Sequence, residues 1–179
     1  MIGGAGVGFG IAASVFARRH TGAWSIVGGA FGGLMVGAVV KLVGLDAFTL
    51  LFGQSPGGIT GGPEGLVLGG AVGLGAFIGR RNAFSIRRSA IVASLFTAAA
   101  GVLISVGGGR LMGGSLALLA RQFPQSHLRI DHLGALFGEA GFGPVSHAAT
   151  AGLEGLLFGG FVIAALAMSQ QRAAPPDAG

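Results

Sequence analysis

The chain has 179 residues, of which 51% are hydrophobic and 9% charged, with a net charge of +5 and no cysteine. A soluble domain carries about 25% charged residues, so this composition excludes a disordered tail and an ordinary soluble globule. The lack of cysteine removes disulfides, thiolate metal sites and cysteine nucleophiles. Glycine supplies 38 residues without a three-residue period, which excludes collagen and leaves an integral membrane protein with glycine-packed helices.

Taken in chain order, five uncharged stretches fall between the charged residues: 1–17, 21–40, 65–79, 89–109 and 155–171. A helix needs ~20 apolar residues to cross a ~30 Å hydrocarbon core. The second and fourth stretches suffice. The third and fifth reach a full span once extended through 59–65 and 145–155, each extension including one glutamate, and the first is marginal. The expected fold is therefore an all-α integral membrane bundle of about five transmembrane helices, with short amphipathic helices on its outer face.

The positive residues stand at the ends of these stretches: Arg18, Arg19 and His20, then Arg80, Arg81, Arg87 and Arg88, then Arg172. In a soluble protein such an excess would suggest nucleic acid. Here it reads as the positive-inside signal. That places the N-terminus outside, 18–20 and 80–88 in the cytoplasm, 44–59 and 109–148 outside, and the C-terminus in the cytoplasm of a bacterial inner-membrane protein. Trp24 suits an interfacial position. Stretch 1–17 lacks a basic leader and is followed by its charges, so it reads as an anchor rather than a signal peptide.

An internal repeat organises the chain. Gly62-Pro63-Glu64-Gly65-Leu66-Val67-Leu68-Gly69-Gly70 matches Gly152-Leu153-Glu154-Gly155-Leu156-Leu157-Phe158-Gly159-Gly160. Upstream, the block from Leu45-Asp46 to Phe52-Gly53 matches the block from Ile130-Asp131 to Phe137-Gly138. The expected organisation is one transmembrane domain over 1–172, with a half repeat at 1–19, repeat one at 21–81, repeat two at 88–172 and a disordered tail at 173–179. Both repeats run in the same direction, which implies a pseudo-twofold axis along the membrane normal. Glycines at every fourth position form packing faces: Gly29, Gly33 and Gly37; Gly65, Gly69 and Gly73; Gly155 and Gly159. They serve packing within the bundle or between copies.

Leu116, Leu118, Leu119 and Phe123 suggest one amphipathic helix, and Leu128, Ile130, Leu133, Leu136 and Phe137 suggest another. Four acids are the candidate functional residues. Glu64 and Glu154 lie at expected helix starts, where a carboxylate meets the positive end of the helix dipole; they are first-turn acids or functional groups. Asp46 and Asp131 read as N-caps. All four would gather at the outer face, paired with Lys41, Arg110, Arg121 or Arg129, or forming a cation-attracting vestibule.

Other motifs carry less. Gly53-Gln54-Ser55-Pro56-Gly57 fits the G-x-S-x-G pattern but has no preceding strand. His127 and His132 are five apart and share no helix face, so with His147 they make no convincing zinc set. No catalytic residue, metal, cofactor, nucleotide or nucleic-acid partner is expected. The expected partners are the lipid bilayer and another protein or further copies of the chain. Two functions stay open: a non-enzymatic scaffold, anchor or small subunit of a membrane complex, and a channel or transporter for a small cation or solute along the pseudo-axis.

Overall fold

The computed structural model describes residues 24–53, 61–122 and 130–173. Among them all regular structure is helical: α1 (Trp24–Phe52), α2 (Gly62–Arg81), α3 (Ile86–Val106), α4 (Met112–Gln122), α5 (Asp131–Ala135) and α6 (Pro144–Ala173). Four are long and apolar enough to cross a membrane: Trp24–Leu50, Gly62–Arg81, Ile86–Val106 and Pro144–Met168. Stretch 1–17, the fifth expected span, lies outside the described residues, as do Gln54–Thr60 and the tail beyond Ala173.

The four long helices form two antiparallel pairs, α1 with α2 and α3 with α6, joined through contact between α2 and α3. In the first pair Gly29 meets Gly69 and Gly73, Gly33 meets Gly65 and Gly69, and Gly37 meets Gly61 and Gly62. A Cβ on Gly33 or Gly69 would lie on a backbone carbonyl of the facing helix, well inside 3.0 Å. In the second pair Gly101 meets Ala151, Gly155 meets Thr97, and Gly159 meets Ala93 and Thr97. Contacts this short replace the hydrophobic drive that helices lack among lipid tails with dispersion between backbones.

Between the pairs, Val72, Ala93, Val162 and Ile163 are buried, with Ala76, Ala90, Phe158 and Leu166 against them. A second cluster joins Ile104, Leu111 and Ala151, with Leu68 beside it. The opposite arrangement holds outside. Leu103 is 68% and Phe161 70% exposed, and a continuous apolar exterior of this kind is compatible with lipid contact.

Three expectations about helix limits need correction. Lys41 does not end the second span: α1 runs on to Phe52 and reaches ~43 Å at ~1.5 Å per residue. Leu42, Val43, Ala47, Phe48 and Leu50 continue the apolar run, and the Thr49 hydroxyl donates back to the Leu45 carbonyl at 2.8 Å. Asp46 is consequently an exposed residue inside α1 and no N-cap. The last span begins at Pro144, in keeping with its extension through 145–155, but Glu154 then lies three turns inside α6 and not at its start, and His147 is helical rather than in a loop. Pro144 explains the start, since proline at the first helical position gives up an N–H that has no helical partner there.

Candidate functional site

Among the helices that begin at the end of the bundle opposite the arginine turn of residues 80–88 are α2, α4 and α6. The residues before them, Gly61, Leu111 and Gly143, have no side-chain oxygen to act as an N-cap. The first amides of a helix lack intrahelical partners. In each case a glutamate supplies the acceptor.

Glu64 sits at the third position of α2 and reaches back, its Oε2 accepting the Gly61 N–H at 2.9 Å. This is the carboxylate half of a capping box. Glu154 reaches across from α6 to α4, where its Oε2 and Oε1 accept the Met112 and Gly113 N–H groups, both at 2.7 Å. It therefore caps a different helix from the one expected, from a position well inside its own.

Glu139, which is not among the four candidate acids of the sequence, completes the set. Its Oε1 accepts the Val145 N–H at 2.9 Å and its Oε2 the Ser146 N–H at 2.8 Å, with the Ser146 hydroxyl also donating to Oε2. Gly138 directs it there. With φ +73 it closes α5 in a left-handed turn, the Glu139 N–H donating to the Gly134 carbonyl at 2.9 Å and the Gly138 N–H to Ala135 at 3.2 Å. The signal was a glutamate a few residues ahead of a Gly-Pro helix start.

The Ser146 hydroxyl, then the Ser146 N–H, hold the Glu139 carboxyl below the ordinary glutamate range against an opposing effect of burial, with smaller help from Val145 and Gly143. The folded chain thus binds a proton at Glu139 less readily than the unfolded chain, whose value is about 4.3. The stabilisation is complete above that value and is lost as pH falls through the lower folded value. Melting temperatures in neutral detergent should show a gap between wild type and Glu139→Gln that is constant from pH 7 to about 5 and narrows below about 4. A gap that ignores acidification would remove Glu139 from this role.

Asp46 is exposed on α1; Asp131 begins α5, and its side chain is outside the described set. Lys41 leans over Gly61 beside Glu64: a Cβ on Gly61 would be 3.3 Å from Lys41 Nζ and 3.6 Å from Glu64 Oε2. Arg121 donates to the Phe142 carbonyl at 3.3 Å. Arg129, Ser55 and His127 lie outside the described residues, and His132 is exposed. No group of three potential metal ligands occurs among the described residues.

A cavity of about 570 Å³ opens beside these helix starts, with Ser105, Arg110, Arg121, Phe142 and His147 in its wall. His147 Nδ1 is 3.0 Å from the Ser105 hydroxyl. Its ring meets Phe142 edge to face, with centroids 6.1 Å apart, and its Nε2 is buried without a hydrogen-bond partner. The buried hydroxyls elsewhere serve the helices. Thr97 donates to the Ala93 carbonyl at 2.7 Å and Ser25 to the Gly73 carbonyl at 3.4 Å. No protein-family model, curated protein or solved structure matches this chain.

Proposed function

We propose that the chain is a non-enzymatic membrane scaffold, a small subunit or anchor that holds a partner protein in the bilayer. One observation carries this reading: Glu64, Glu139 and Glu154 are each engaged by helix-start amides, while the space between the helix pairs is filled by apolar side chains. A transport path needs ionisable groups facing water or the bundle interior. These acids fasten helix ends instead.

The repeat supports a rigid, duplicated framework. Contacts at Gly29, Gly33 and Gly37 in the first pair recur at Ala93, Thr97 and Gly101 in the second. The facing positions Gly61, Gly65 and Gly69 recur at Ala151, Gly155 and Gly159. Gly53 and Gly138, equivalent in the upstream block, both have positive φ, +68 and +73. This correspondence supports a glycine-zipper bundle with a pseudo-twofold axis along the membrane normal. The arginine turn at 80–88 then faces the cytoplasm of an inner membrane under the positive-inside rule.

The experiment is purification from native membranes in mild detergent, with the intact mass of the complex measured. A partner protein present in fixed ratio is the expected outcome. A lone monomer, or copies of this chain alone, would overturn the subunit reading.

A further inference from the structure

We infer that His147 is a pH-sensitive latch: its neutral ring seats α4 on α6, and taking up a proton releases α4. This goes beyond the scaffold reading and does not depend on it. The ring belongs to the first turn of α6 and touches both neighbouring helices, at Ser105 near the end of α3 and at Gly114 in α4. Nδ1 is 3.0 Å from the Ser105 hydroxyl. Nε2 is buried without a hydrogen-bond partner. It lies against Gly114, where a Cβ would fall on Nε2 and stand 2.8 Å from Cδ2. Gly114 and Ala117 are the buried residues of α4, so the ring meets the face by which α4 is seated.

A neutral imidazole fits this seat. Its one N–H, placed on Nδ1, donates to the Ser105 oxygen and leaves on Nε2 only a lone pair facing the Gly114 backbone. An imidazolium carries N–H on both nitrogens. The second would be a buried donor without an acceptor on a charged ring, which costs far more than a bare lone pair. The charged groups around the ring come from each adjoining segment except α3, whose last two turns hold none. Arg110, ahead of α4, repels a positive ring and Glu154 of α6 attracts one, but the Glu154 oxygens already accept the Met112 and Gly113 N–H groups. Arg121 of α4 borders the same cavity, and Glu139 holds the Val145 and Ser146 N–H groups just ahead of His147. The cavity, of about 570 Å³, gives a displaced ring a way to water. The contact is complete above about pH 6.5, the value of an imidazole in water. It weakens as pH falls below that, because the released ring takes the proton.

The test measures the separation of α4 and α6 in the full chain, in neutral detergent, by pulsed electron paramagnetic resonance. Spin labels go on Leu116→Cys in α4 and Leu153→Cys in α6, both exposed, in a chain with no other cysteine. One short distance is expected at pH 7.5, and a longer component should grow at least tenfold by pH 5, above the range where glutamates titrate. His147→Gln and His147→Phe take up no proton there, so the longer component should not change with pH in either, whatever its level at pH 7.5. The phenylalanine keeps a packed ring if the glutamine does not. Gly114→Ala, whose methyl would take the place of Nε2, should show the longer component already at pH 7.5. A control pair on α2 and α3, Val67→Cys with Leu95→Cys, both exposed, should keep its distance throughout. A wild-type α4–α6 distance that ignores pH between 7.5 and 5 would overturn the proposal. So would a longer component that still grows in both His147 variants, or a control pair that moves over the same pH range.

Discussion

Gly33→Leu is expected to destabilise the protein by about 3–5 kcal/mol, at the upper end of what one substitution in a packed interior does. The cause is geometric. A Cβ at Gly33 would fall on the Gly65 carbonyl, with the Gly69 Cα at 3.1 Å, and backbone atoms cannot step aside as a side chain can. α1 and α2 would have to separate along their length, losing the Gly29 and Gly37 contacts as well. Gly70→Ala is the matched control, because its Cβ would stand 3.6 Å from the Ala30 methyl, an ordinary contact. Unfolding of the purified protein by titrated SDS should separate the two variants clearly. Equal midpoints for Gly33→Leu and wild type would mean that the two helices do not meet at this distance.

Glu154→Ala should cost about 1–3 kcal/mol, the range for losing a helix cap and leaving helix-start donors unpaired. The loss should be local as well as global. The Met112 and Gly113 amides would lose their acceptor, so hydrogen exchange should accelerate through the first turn of α4 while the centre of α3 stays protected. Glu154→Gln keeps one carbonyl oxygen and should fall between. Asp46→Asn, exposed on α1, should shift stability by less than about 0.5 kcal/mol. Unchanged exchange in α4 after Glu154→Ala would show that the carboxylate does not hold that helix.

The helical class and the four described spans were legible because lipid imposes a simple rule, long apolar runs closed by charges. The partners of the spans were less so. Glycines at every fourth position mark a face but not the helix it meets. That Gly33 faces Gly65, and that Thr97 replaces a glycine opposite Gly155, required coordinates.

A charge does not mark a helix limit where the helix is longer than the membrane is thick. Lys41 and Asp46 sit in a helix that outruns the hydrocarbon core, so neither interrupts it. Glu64 was placed correctly at a helix start by its own sequence, because a capping-box acid acts within four residues. Glu154 acts across 41 and 42 residues of sequence, and no local pattern announces such a partner. Glu139 lay between these cases. Its target is close in sequence, but the left-handed turn at Gly138 that aims it is visible only in the fold.

On the scaffold reading the glutamates secure helix ends and line no path. The most direct test is cation flux into liposomes carrying the purified chain, alongside versions with Glu64→Gln and Glu154→Gln. Flux no greater than in protein-free liposomes is expected for all of them. Flux through the wild-type protein that both substitutions abolish would contradict it and establish a transport path past these carboxylates.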